Sequence, residues 1–199
     1  MIDAANLRKA GINRKTTETD IQCEINLDGS GQHLVDTGVP FLNHMLTLFA
    51  VHGFFDLSLK AEGDIKIDDH HTTEDIGIVL GSAIAQALGD KGGITRYSSV
   101  YLPMDEALVR VVIDVSNRPY LHYNVNVIEQ KLGTFDSCLV KEFFRAISQH
   151  AGVTLHIDML HGENGHHIVE AVFKGFGRAL AQAIKPIGSD KALSSKGCL

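Results

Sequence analysis

The sequence predicts an α+β chain built twice, each half with a sheet on one side and helices on the other. Three observations predict it. His70-His71-Thr72-Thr73-Glu74 returns as His166-His167-Ile168-Val169-Glu170, with both histidines and the glutamate 96 positions on (166 − 70, 167 − 71, 170 − 74). Two-residue and 3.6-residue apolar periods alternate in the same order before each copy. Asp90-Lys91-Gly92-Gly93 breaks both periods near the middle of the 199 residues, which sets the halves at 1–90 and 91–199.

In the first half, Ile21, Cys23, Ile25 and Leu27 alternate with polar residues, the pattern of a half-buried strand. Asp28-Gly29-Ser30-Gly31 is the turn after it. Pro40 opens an amphipathic helix through Phe41, Met45, Leu48, Phe49 and His52, ended by Gly53. Phe55 to Lys60 alternates as a second strand, and Glu62 to Asp69 is a polar link. Ile76, Val79, Leu80, Ala83, Ile84, Ala87 and Leu88 then trace a helix from the first His-His pair to Gly89. The second half repeats the order. Leu108 to Val115 is an apolar strand with Leu121 to Val127 as its neighbour, Phe135 to His150 is a helix, and Val153 to Met159 is a strand. Gly162-Glu163-Asn164-Gly165 is a turn, and the second His-His pair starts a helix through Val169, Phe173, Phe176, Leu180 and Ile184. Such a pattern builds sheet-and-helix layers.

Charge and composition exclude several classes. Apolar residues make up 44% and the formal charge is −6, with no dominant basic run, which argues against nucleic acid as a partner. No stretch approaches the roughly 20 apolar residues of a membrane span, and Met1 to Asn6 lacks the apolar core of a signal peptide. Cys23, Cys138 and Cys198 are odd in number and widely spaced, without a C-x-x-C, so neither a disulfide framework nor a zinc knuckle is indicated. The expected setting is soluble, reducing and cytoplasmic. Histidine is the unusual residue, at 11 copies, and imidazole suits divalent transition metals.

On a helix, residues i and i+4 share a face. His70 and Glu74 can therefore converge on one ion, as can His166 and Glu170. His71 and His167 lie about 100° further round and point to a different ion or away. Aligning the helices that precede the two copies sets His44 opposite Glu142, 98 positions apart (142 − 44), a two-residue difference in the links. Two sites of mixed imidazole and carboxylate ligands, with about four protein ligands each, leave positions open on a six-coordinate ion. A single His-His pair at a helix start more often caps the helix or faces solvent; the duplication is what favours metal. Asp68 and Asp69 read as charges favoured by the helix dipole or as supports for an imidazole. His33, His52, His122, His150, His156 and His161 have no repeated partner and read as surface or core.

Five motifs carry a family resemblance: Phe41 to Leu46, Asp68 to Asp75, Pro103 to Leu108, Arg118-Pro119-Tyr120, and Asn164 to Ala171. In this order they resemble the imidazoleglycerol-phosphate dehydratases, from about Arg14 to Lys196. The resemblance implies a tandem of βαβ-type halves, similar to the second domain of ribosomal protein S5. It implies dehydration of D-erythro-imidazole-glycerol phosphate to imidazole-acetol phosphate, in histidine biosynthesis. It also implies two Mn²⁺ ions per active site and a homo-oligomer of 24 subunits with active sites between them. The ligands it implies are His44, His71, His166 and Glu170 for one ion, and His70, Glu74, Glu142 and His167 for the other. An imidazole held between two cations can lose its N–H; the resulting ring expels the neighbouring hydroxyl through a diazafulvene-like intermediate, the next carbon loses a proton, and the enol ketonises. The acid/base residue implied is Glu18, which alone would read as a surface carboxylate on an edge strand. The phosphate clamp implied is Arg96, Arg118 and Lys196 with Ser194, and guanidinium forks suit phosphate oxygens. Lys174 lies four residues after Glu170 and reaches the same site. Neither Glu18 nor the clamp shows a repeated counterpart in the motif alignment.

The sequence departs from the family pattern at Asn43, where Asp is usual, and at Ser98-Ser99 and Asn117, where smaller residues are common. Asn43 keeps an acceptor for an imidazole N–H but loses the charge. Two other functions use similar ligands. A dinuclear phosphoesterase would be richer in Asp, and a metal-storing cage would need neither Arg96, Arg118 nor the Ser194–Lys196 tail.

Overall fold

The alternating strands build two separate four-stranded sheets, and the helical segments fill the space between them. The computed structural model describes residues 8–197, so Met1 to Asn6 and Cys198 lie outside the described residues. The first half comprises β1 (Lys9–Lys15), β2 (Thr19–Asn26), β3 (His33–Asp36), α1 (Pro40–Gly53), β4 (Asp56–Gly63) and α2 (His70–Leu88). The second comprises β5 (Tyr97–Met104), β6 (Ala107–Asp114), β7 (Tyr120–Asn124), a short β8 (Lys131–Leu132) and β9 (Phe135–Asp136) hairpin, α3 (Leu139–Ala151), β10 (Thr154–His161) and α4 (Gly165–Ala183).

The sheet orders are β1-β2-β4-β3 and β5-β6-β10-β7, the same topology twice. The registers also coincide. Lys9 pairs with Asn26 and Tyr97 with Asp114, each residue shifted by 88 (97 − 9, 114 − 26). Each sheet ends in a parallel edge strand, β3 beside β4 and β7 beside β10. The helices of each half cover one face of its own sheet, and the halves meet helix to helix, α1 on α4 and α2 on α3. One continuous core results, centred on Phe49, Phe55, Phe143, Phe144, Phe173 and Phe176.

Three features differ from the pattern reading. Strands β1, β3 and β5 carry too few buried apolar residues for a two-residue period to show in the sequence: β1 buries fully only Ala10, β3 buries no residue fully, and β5 leaves Tyr97 and Tyr101 exposed. Strand β7 does not neighbour β6; β10 lies between them, because the chain runs through α3 before filling that slot. Helix α3 begins at Leu139 rather than Phe135, since Phe135 is held in the β8–β9 hairpin and stacks on Phe41 at 5.3 Å.

The inter-half contact is close because two glycines permit it. A Cβ on Gly177 of α4 would lie 2.6 Å from the Phe49 carbonyl oxygen and 3.1 Å from the Gly53 nitrogen of α1. A Cβ on Gly81 of α2 would lie 3.2 Å from the Ile147 carbonyl oxygen and 3.1 Å from the Ala151 nitrogen of α3. The glycines are again 96 positions apart (177 − 81), so the crossing itself is duplicated. Gly177→Ala inserts a methyl against backbone atoms that cannot rotate away. It is expected to lower unfolding free energy by about 1–3 kcal/mol, with Gly81→Ala, whose clash is milder, at the lower end; urea denaturation of the two variants checks this.

Candidate metal centre and active site

The crossing of α1 on α4 brings residues of both halves together. His44 Nε2 lies 2.6 Å from Glu170 Oε1, and His166 Nε2 lies 3.3 Å from the same oxygen. One ligand atom from each of the three residues falls within 4.8 Å of the others, and no other group as tight occurs among the described residues. Glu170 is 8% exposed while the two imidazoles are about half exposed. Burial works to raise the Glu170 pKa, but Lys174, whose Nζ donates to Oε2 at 2.6 Å, and the rings of His44 and His166 outweigh it and hold the carboxylate at about 2. Lys174 is thus on the ligand face. Beside the cluster lies a cleft of about 560 Å³ lined by Phe41, His44, Lys131, Thr134, Asn164 and His166.

The second helix crossing carries the other acidic and imidazole groups more loosely. His70 Nε2 and Glu74 Oε2 are 3.7 Å apart on α2, whereas the Glu142 carboxylate on α3 accepts from Arg145 at 2.7 Å. His70, Glu74 and Glu142 therefore do not form a cluster like that of His44. Nor do His71 and His167 join either group. His71 Nδ1 lies 2.9 Å from Asp64 and 3.9 Å from Glu18, while His167 Nδ1 lies 2.7 Å from Glu106. The carboxylate partner raises the pKa of each ring.

Both motif helices begin beside equivalent polar residues. The Asp68 side chain, one residue before the Asp69 N-cap of α2, accepts from the His70 N–H, and Asn164, at the same offset of 96 and the N-cap of α4, accepts from those of His166 and His167. These bonds hold the first turn of each helix, and with it the imidazoles. Asn43 is not an imidazole partner: its Oδ1 accepts from the N–H and hydroxyl of Thr37 and so ties down the entry to α1. Asn117 takes a φ of 57°, a conformation that Asn tolerates better than most residues, and accepts from Lys91. Ser98 donates to the Ala179 carbonyl.

Glu18 sits in the turn between β1 and β2 rather than on an edge strand, with 52% of its side chain exposed. Arg96 makes a two-point contact with Asp114 and donates to the Leu193 carbonyl at 2.7 Å, which draws the tail to it. Arg118 reaches Asp114 only at 3.6 Å and is 64% exposed. Ser194 lines the same pocket as Lys91 and Asn117, and the Lys196 N–H donates to its hydroxyl. The sequence assigns no role to Asp64 or Glu106, although Glu106 lies within the Pro103 to Leu108 motif. Glu106 lies 88 positions after Glu18 (106 − 18), an offset visible only once β2 and β6 are matched.

The fold and site define an α+β enzyme of duplicated halves with a candidate His/Glu metal centre between them. The family model described as imidazoleglycerol-phosphate dehydratase matches residues 37–180. A relative of that name from Desulfotalea psychrophila is 84% identical over 96% of each chain, and one from Acetivibrio thermocellus is 55% identical over 96% of this chain and 99% of its own. The crystal structure of the dehydratase from Staphylococcus aureus has a TM-score of 0.82 at 46% identity, covering 89% of this chain and 99% of that one. The enzyme from Pyrococcus furiosus in complex with (S)-C348 has a TM-score of 0.82 at 41% identity, covering 94% and 100%. The chain belongs to the imidazoleglycerol-phosphate dehydratase family and is an enzyme of the hydro-lyase class.

The Glu106–His167 contact has a definite pH signature in metal-free protein. Its hydrogen bonds, first that from His167, hold Glu106 at about 2 against an ordinary 4.5, so its stabilisation is present above about 4.5 and lost as pH falls toward 2. His167 is raised above 6.5, so its share is full below that value and lost as pH rises through the folded pKa. These are two views of one interaction. The melting-temperature difference between wild type and Glu106→Gln is expected to be largest between about pH 4.5 and 6.5, as differential scanning calorimetry of metal-free protein checks.

Proposed function

We propose that this enzyme removes water from D-erythro-imidazole-glycerol phosphate to give imidazole-acetol phosphate, a step of histidine biosynthesis in the cytoplasm. The observation that carries the reading is the His44–His166–Glu170 cluster, built across the halves in a chain of this family. Two borderline nitrogen donors and one hard oxygen fit a divalent transition ion such as Mn²⁺, and Glu170 stays ionised as such a ligand requires. His44, His71, His166 and Glu170 would hold one ion, and His70, Glu74, Glu142 and His167 the other. Two bound cations supply Lewis acidity that makes the N–H of an imidazole ring easier to lose. Because His71 lies outside the cluster within one chain, the reading takes it from a second copy, with active sites between the subunits of a homo-oligomer of 24. The halves, 1–90 and 91–199, are taken as products of duplication.

The remaining roles belong to side chains. The C–H to be broken is not acidic by itself, so departure of the hydroxyl next to the ring needs a proton, and the next carbon must give one up. Glu18 is the group proposed to do both: its carboxylic acid donates a proton to the leaving hydroxyl, and its carboxylate accepts one from the neighbouring carbon. Its exposure supports this, as does the lack of a hydrogen bond to its carboxylate among the described residues, His71 standing 3.9 Å away. Arg118, loosely paired, takes the substrate phosphate first. Arg96, tied to Asp114, is a fixed second cation, and Ser194 and Lys196 close from the tail. Lys174 neutralises Glu170 and keeps a positive charge near the substrate.

Assay of purified protein with imidazole-glycerol phosphate, with and without Mn²⁺, tests the reading. Metal-dependent release of the ketone is expected, and no dehydration at any metal loading overturns it. Glu18→Gln is expected to bind metal and substrate as wild type does while kcat falls by about 10²-fold or more; normal turnover would remove Glu18 from the role.

A further inference from the structure

The two halves contain the same pair of carboxylate positions and use opposite members of it. One position is the turn before the second strand, Glu18 in the first half and Glu106 in the second. Each is followed directly by β2 or β6, and those strands share one register with β1 and β5. The other position lies just beyond the third strand of the sheet. Gly63 ends β4 and packs on Thr72 and Thr19; Gly162 follows β10 and packs on Ile168 and Ala107, the residues equivalent to Thr72 and Thr19. The register shift between Met159 and His161 accounts for the extra residue. Asp64 is therefore matched by Glu163.

In the first half the strand-end residue holds the ring. Asp64 lies 2.9 Å from His71 Nδ1, and Glu18 stands back at 3.9 Å. In the second half the turn residue holds it. Glu106 lies 2.7 Å from His167 Nδ1, while its other oxygen accepts from the backbone N–H groups of Glu163 and Asn164 at 3.2 and 2.8 Å. Glu163 is exposed, and among the described residues only its backbone N–H is engaged. An ionised carboxylate has no proton to donate, so the nitrogen facing it carries the hydrogen. Both rings are thereby fixed with Nδ1–H toward the carboxylate and the lone pair on Nε2, where the nearest carboxylate oxygen to His167 Nε2 is Asp105 Oδ2 at 3.8 Å, and such outer partners set the tautomer and orientation of a ligating imidazole.

We propose that Asp64 and Glu106 are positioning residues that hold His71 and His167 with Nε2 directed to metal, and that Asp64, by taking the hydrogen bond of His71, leaves the Glu18 carboxylate without one among the described residues and so available for proton transfer. The inference rests on the ligand assignment of the preceding section and deepens it. It also explains why equivalent residues differ in role: Glu106 is locked by three hydrogen bonds, whereas Glu18 is released.

The test is Mn²⁺ titration of metal-free wild type, Asp64→Asn, Asp64→Ala, Glu106→Gln and Glu106→Ala, with circular dichroism to confirm folding, and ¹⁵N spectra of the histidine rings at a pH where they are neutral (solid-state spectra serve if the chains assemble). Wild type is expected to bind two ions per chain and to show Nδ1–H tautomers at His71 and His167. The Glu106 variants are expected to weaken one ion by 10- to 100-fold and the Asp64 variants the other, with the conservative variant milder in each pair. Unchanged affinities in all four variants beside a two-ion wild type, or Nε2–H tautomers at both rings, overturn the inference and leave the functional reading standing. A wild type that takes up no Mn²⁺ overturns the functional reading and this inference with it.

Discussion

Everything at the site depends on how closely α1 approaches α4. His44 belongs to one half and His166 and Glu170 to the other, and they meet because Gly177 lets the backbones touch. A crossing at such short range has no flexible side chain to absorb error, so it transmits position faithfully from the core to the ligands. The Phe49, Phe144 and Phe176 rings pack beside it and make the arrangement rigid. The same crossing recurs at Gly81 on α2 against α3, which is why the halves form a single core rather than two.

Much of this was legible in the sequence. The repeated His-His-x-x-Glu revealed the duplication, and helical spacing separated the first imidazole of each motif from the second: His70 and His166 lie near Glu74 and Glu170, while His71 turns to Asp64 and His167 to Glu106. Alternation found β2, β4 and the edge strand β7, and apolar runs found β6 and β10. Alternation failed at β1, β3 and β5, edge strands whose inward positions hold too few apolar residues to show the period. The order of β7 and β10 was hidden, since sequence proximity does not fix which strand enters a slot first. The link lengths set His44 opposite Glu142, and only the family resemblance joined His44 with Glu170. Glu142, its opposite number, turns instead to Arg145 within the chain.

The carboxylates that hold imidazoles were the least visible part. Asp64 stands in a polar link and Glu106 in a tight turn, where acidic residues ordinarily face solvent. Offsets of 88, 96 and 98 coexist in one repeat because the links, and β10 at its register shift, changed length between the halves. Aligning the motifs alone therefore misses Glu106, and aligning the sheets recovers it. A duplicated scaffold gives two copies of every group, and asymmetry arises when a neighbour takes over one copy's contact. The pairing of His71 with Asp64 is such a change, and Glu18 is what it sets apart. Arg96 and Arg118 follow a similar logic, since Asp114 fixes Arg96 firmly and Arg118 weakly.

The most direct test of the central claim, that an ion site is assembled across the two halves and completed by another copy, is anomalous diffraction at the manganese edge from crystals grown with Mn²⁺. The account predicts a peak in contact with Nε2 of His44, Nε2 of His166 and the Glu170 carboxylate of one chain, with an imidazole from a second copy's position 71. A peak ligated by residues of only one half, or no peak at His44, His166 and Glu170, would contradict it.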